Sequence, residues 1–228
     1  MLKDYGVHDV LESYFNDLTK RLYHSNLSWE NCYKFFCENH EKILEDGEKS
    51  EICEIAALHL AFYLASWGMY RGSAFIRRYD HNIYKGLIIE LLSNCENLWK
   101  KDVEWSDLKK ANEIITNYFI GLKKDDKSTD KDKHSNRPTQ TLITKILMGI
   151  FACVPAYDRY VIKALKAYNI CQTYKEDSYN EIKKWLEERN YNYKLSKSEV
   201  EYTPMKLIDV YFWSVGKDLE EKEKINNK

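Results

Sequence analysis

The chain is poor in the residues that turn a backbone, with 8 Gly and 3 Pro among 228 residues. Sandwiches and barrels draw on many more, so an all-β architecture is not expected. None of the six cysteines (Cys32, Cys37, Cys53, Cys95, Cys153, Cys171) forms a Cys-x-x-Cys pair. Scattered through apolar runs, they read as buried reduced thiols of a cytoplasmic protein rather than as a disulfide framework. No apolar run approaches the ~20 residues of a membrane span, so no membrane partner is expected. The opening MLKDYGVHDV lacks the pattern of a signal peptide. GxxxxGK[ST], GxGxxG and GxSxG are all missing, which leaves a nucleotide-phosphate loop and a nucleophile elbow without support. A net charge of −1 gives no global basic signature for nucleic acid, so any DNA contact must rest on a local basic cleft.

What the chain does have is aromatic residues (18 Tyr, 6 Trp and 8 Phe) and helical periodicity. The expected fold is all-α, roughly eight to ten helices, as a single helical domain over 1–228 or as two lobes around a cleft. Val10, Leu11, Tyr14, Phe15, Leu18 and Leu22 mark a first amphipathic helix, and Ser28 stands where a cap would open a second. Ile52 to about Arg78 is the most apolar stretch and reads as a central helix, bent or interrupted near Gly68 and Gly72. Two further helices follow over 83–99 and 105–122, the latter with Ser106 as its cap. Lys123 to Pro138 is polar and of mixed charge, the expected mobile loop or linker. A helix over 178–189 comes next. Thr203 and Pro204 then open a last helix, whose charged tail from Asp218 is expected to fray.

The chain is organised around Thr139 to Asn169. Leu142, Ile143, Ile146, Leu147 and Ile150 fall at helical spacing, and only Lys145 breaks the opposite face, which predicts burial nearly all round. Pro155 ends this helix, Asp158 stands as the N-cap of the next, and Asn169 is placed for a left-handed stop.

The run TLITKILMGIFACVPAYDRYVIKAL resembles the segment that carries the catalytic aspartate in the helix-hairpin-helix DNA glycosylase superfamily. On that resemblance Thr141 matches the helix-opening threonine, Pro155 and Asp158 the Pro-x-x-Asp turn, and Val161 the apolar residue beyond it. Gln140 falls where bifunctional members carry their Schiff-base lysine, so a lyase activity by that route is not implied. Where the family has a Gly-rich hairpin, this chain has Asn136, Arg137, Pro138 and Thr139, without a glycine. The four-Cys cluster of some members is missing as well. Neither an iron–sulfur cluster nor any other cofactor or metal is therefore expected.

The resemblance implies a protein that hydrolyses the N-glycosidic bond of a damaged or modified base flipped out of DNA, in DNA repair or phage defence. Asp158 would be its catalytic carboxylate, with Gln140 as a neighbour contacting sugar or base. An aspartate at a helix start serves equally as a plain cap. Trp67 and Tyr70, beside Gly68 and Gly72, are candidates for a base pocket, although core packing is the commoner fate of such residues. Arg71, Arg77, Arg78 and Arg137 are candidates for phosphate contact. His59 reads as a core histidine. The alternative from another class is a non-catalytic, all-helical protein-interaction module, favoured by the near-zero charge and the missing hairpin glycines. A helical ribonuclease resembling HEPN domains ranks last, because the Arg77–His81 and Arg21–His24 spacings are too short for that motif.

Overall fold

The computed structural model describes residues 6–18, 25–122, 136–189 and 200–226. Among these the chain forms nine α-helices, three short 3-10 turns and no strand, so the all-α expectation holds. In chain order the helices are α1 (Val7–Leu18), α2 (Ser25–Asp46), α3 (Glu51–Ser66), α4 (Lys85–Asn94) and α5 (Trp105–Gly121). They continue with α6 (Gln140–Ile150), α7 (Arg159–Ala167), α8 (Glu176–Glu187) and α9 (Pro204–Asn226). No described helix is long and apolar enough to cross a membrane.

The core is built on α6, whose residues from Leu142 to Ile150 are all buried. It packs against α2, α3 and α5, while α9 lies along α7 and receives α1. Contact with α2 is close enough for Trp29 Nε1 to donate to the Met148 carbonyl at 2.8 Å. Gly149 admits the Tyr63 ring on the α3 side, where a Cβ would come within 2.8 Å of it. At the α7–α9 contact the approach is closer still: a Cβ on Gly216 would lie 1.9 Å from the Tyr160 carbonyl oxygen.

The apolar stretch from Ile52 to Arg78 is interrupted near Gly68 and Gly72, as expected: α3 ends at Ser66, where Gly68 takes φ 78° and Met69 N–H bonds back to the Leu64 carbonyl, and Phe75–Arg78 forms only a 3-10 turn. Several boundaries differ from the sequence reading, each for a local reason. Ser28 lies inside α2, which begins at Ser25, and its hydroxyl donates to the Ser25 carbonyl. Ser106 does not cap α5, since Trp105 already belongs to that helix. The charged tail holds helix to Asn226. Lys222–Asp218 and Lys224–Glu220 pairs run along it, and Arg159 and Lys163 of α7 reach across to Glu220 and Glu223. Of the expected mobile segment, 123–135 lies outside the described residues; Asn136 and Pro138 are buried.

Candidate functional site

The segment between α6 and α7 is fixed by a set of directed hydrogen bonds. Thr141 Oγ1 donates to the Tyr157 carbonyl at 2.7 Å, and Thr144 Oγ1 accepts the Tyr157 N–H at 2.9 Å. Asp209 Oδ1, on α9, accepts the Ala156 N–H at 2.9 Å. Tyr157 reaches Ser178 Oγ on α8 at 2.7 Å. The proline turn thus satisfies its buried amides from α6 and α9, as an irregular buried segment must, and α8 holds the Tyr157 hydroxyl.

Asp158 leaves this turn as the N-cap of α7. Its Oδ1 accepts the N–H groups of Tyr160 at 3.0 Å and Val161 at 3.1 Å. Its Oδ2 lies 3.2 Å from Lys145 Nζ. The side chain of Lys145 is 3% exposed and that of Asp158 16%, so the carboxylate is the end of the pair that reaches the surface. Lys145 Nζ also sits 4.4 Å from the centre of the Trp67 ring. One oxygen of Asp158 thus serves the helix cap and the other the ion pair with Lys145.

A second buried pair lies beside the first. Lys206 Nζ is 2.9 Å from Asp209 Oδ2 and stands over the Trp29 ring at 4.5 Å and the Trp67 ring at 5.6 Å. Burial pushes the Lys206 ammonium below its ordinary range, Asp209 pulls it back up, and Lys145 adds a like-charge push down. Burial first, then the Asp209 carboxylate, raises the phenols of Tyr14 and Tyr63, so both remain protonated beside it. Two ammoniums and two carboxylates share one aromatic-walled region with Trp67 touched by both lysines. Such desolvated charge is expensive and concentrates at functional sites.

Of the other candidates only Trp67 shares this region, and the rest are dispersed. Trp67 is half-buried, its Nε1 donating to the Ser25 carbonyl at 3.1 Å and its ring meeting Trp213 edge-on at 6.0 Å. Tyr70 takes a different partner, the Tyr84 hydroxyl at 2.8 Å. Gln140 clamps the loop after α7, accepting from Tyr174 N–H at 3.0 Å and donating to the Gln172 carbonyl at 3.5 Å. Arg71 folds against Gly68, and Arg77 donates to the Gly72 carbonyl. Arg78 donates to Asn136 Oδ1 at 2.9 Å, which brings it to the segment that carries the exposed Arg137 and leads into α6. His59, half-buried, stacks on Phe35 at 4.4 Å, and burial lowers its pKa.

Sequence reasoning singled out Asp158 and missed Lys145, Lys206 and Asp209 as a group. The signal was present as charge inside apolar runs, ILMGI after Lys145 and LI between Lys206 and Asp209. No family model matches the chain, and neither a curated protein nor a solved structure matches it.

Proposed function

We propose that the protein hydrolyses the N-glycosidic bond of a damaged or modified DNA base, with Asp158 as the catalytic carboxylate. The observation that carries this reading is the division of the Asp158 carboxylate. Oδ1 is committed to the α7 amides, and Oδ2 is held by Lys145 at the partly exposed end of a buried charge cluster. In the reaction, Asp158 orients a water toward the sugar carbon and balances positive charge as the base departs. Lys145 fixes the carboxylate's position, and Trp67, under the same ammonium, offers an aromatic surface for an extruded base. Arg78 and Arg137, both at the Asn136 segment, supply charge for backbone phosphates. The test is abasic-site formation on DNAs carrying damaged, mismatched and modified bases, comparing the wild type with Asp158→Asn.

A second reading, a protein-interaction module, is favoured by one observation. Ile55, Leu58 and Phe62 form an exposed apolar stripe along α3, at 37%, 47% and 65% exposure. With a net charge of −1 there is little repulsion between copies, so the partner of this reading is a second copy docked on α3. Sedimentation of the wild type against the double variant Leu58→Ser, Phe62→Ser tests it. A wild-type dimer abolished by the variant supports the module, and a monomer in both removes it.

A further inference from the structure

A cleft of about 220 Å³ opens on the α9 N-terminus, and Asp158 is not among the residues that line it. Its walls are aromatic: Tyr33 from α2, the half-buried Trp99, Phe151 at the end of α6 and Tyr179 from α8. Trp99 lies near-parallel to Tyr33 with centroids 6.4 Å apart and meets Phe151 edge-on at 4.9 Å. Lys100 and Lys101 also line the cleft; both are exposed, and neither enters an ion pair among the described residues. An exposed carboxylate, Glu201, completes the polar lining.

Ala152, in the wall, takes φ 51° as the left-handed stop after α6, its N–H bonding back to the Leu147 carbonyl at 3.1 Å. Its carbonyl accepts the Thr203 hydroxyl at 2.6 Å, which ties this wall to the first turn of α9.

We propose that this cleft binds a nucleotide, with the base among the aromatic rings and the phosphate on Lys100 and Lys101. The volume is below the ~300–1,000 Å³ of pockets for drug-sized ligands and suits a single heteroaromatic ring system. Trp99 supplies a stacking face, which is how proteins hold bases without sequence preference. Glu201 accepts from a ring or exocyclic N–H of the base. The phosphate stays outside, against the ammoniums of Lys100 and Lys101 and the positive end of the α9 dipole, where Thr203, Pro204 and Met205 line the cleft. This site is separate from the Asp158 reading and stands or falls without it. The same chemistry is presented by a free mononucleotide and by one nucleotide of a single strand.

The experiment is calorimetric titration of the full chain with AMP, GMP, CMP and UMP, with a ten-nucleotide DNA single strand, and with ribose 5-phosphate. Each is repeated on Trp99→Leu and on the surface double variant Lys100→Ala, Lys101→Ala, which keeps the test valid if the tryptophan variant folds poorly. Binding of a mononucleotide or of the strand is expected, weakened about tenfold or more by Trp99→Leu. The lysine variant is expected to weaken it as well and to flatten its salt dependence. Saturation by a mononucleotide assigns the site to the free ligand; saturation by the strand alone assigns it to nucleic acid. Binding of none of these probes overturns the proposal, as does binding unmoved by both variants or equal binding of ribose 5-phosphate.

Discussion

Lys145 and Asp158 lie on consecutive helices, 13 residues apart in the chain, with Nζ and Oδ2 3.2 Å apart. Lys145 is the buried partner and has its ammonium against Trp67, so the pair cannot be dissolved from one side without leaving a desolvated charge. Asp158→Ala removes both the helix cap, about 1 kcal/mol, and the counter-charge of a buried lysine. The expected loss is about 3–5 kcal/mol. Asp158→Asn keeps a capping oxygen but still strands Lys145. The double variant Lys145→Met, Asp158→Asn is expected to recover most of the stability, read from urea unfolding midpoints at constant slope.

The α7–α9 contact depends on a missing side chain. Gly216→Ala places a methyl 1.9 Å from the Tyr160 carbonyl oxygen, which is backbone and cannot swing away. A loss of about 3 kcal/mol is expected, at the upper end of overpacking effects. Gly121→Ala, at the end of α5 with nothing within 4 Å, is expected to be neutral or to stabilise by up to about 1 kcal/mol. Thermal unfolding of the two variants in parallel measures the contrast.

Lys206 gives a pH dependence with a definite sign. Burial holds its folded pKa below the ordinary 10.5, so between those two values the unfolded chain binds more protons than the folded one. Stability contributed by this site therefore rises with pH through that window and is flat below it and above 10.5. The buried tyrosines, raised in pKa, act in the opposite direction at high pH and are common to both proteins in the comparison. The unfolding free energy of the wild type minus that of Lys206→Met is expected to increase between neutral pH and pH ~10. A difference that falls or stays level refutes the assignment.

Much of this architecture was legible in the chain. Pro155, Asp158 and Asn169 mark the end of one helix and both ends of the next. The structure has Asp158 as the N-cap and Asn169 at φ 57°. Thr203 and Pro204 likewise open α9 as their chemistry dictates, with Thr203 Oγ1 accepting the Lys206 N–H at 3.0 Å. Serine caps were less readable. Ser28 sits within an apolar periodicity that begins at Ser25, and a serine inside a helix bonding the carbonyl three residues back looks the same in sequence as a serine opening one. The Lys206–Asp209 pair hid in an apolar run because what makes it viable is tertiary, namely Trp29 above the ammonium and the Ala156 amide on the carboxylate. The aromatic cleft had no local signature, since Tyr33, Trp99, Phe151 and Tyr179 come from distant segments and its left-handed residue is an alanine.

The cysteines are expected to divide by exposure. Cys37 is exposed and Cys171 half-buried, whereas Cys32, Cys53, Cys95 and Cys153 are buried. Burial pushes the Cys95 thiol up to about 11 and those of Cys32 and Cys153 higher. Brief alkylation of the native protein is expected to label Cys37 and Cys171, with the other four reacting only in denaturant. Peptide mass spectrometry reads the pattern, and rapid native labelling of Cys32 or Cys153 would contradict the packing of α2 against α6.

The most direct test of the central claim is abasic-site formation by four purified proteins on the modified-base DNA panel. They are the wild type, Asp158→Asn, Lys145→Met, and the double variant with both changes. The wild type is expected to release at least one base. Asp158→Asn and the double variant are expected to lose at least about a hundredfold in rate, the scale of a positioned acid–base group, with helicity by circular dichroism unchanged in the double variant. Lys145→Met should retain a reduced rate, because its partner carboxylate remains. Release that persists in a folded Asp158→Asn protein, or no release by the wild type from any substrate, would contradict the assignment of Asp158.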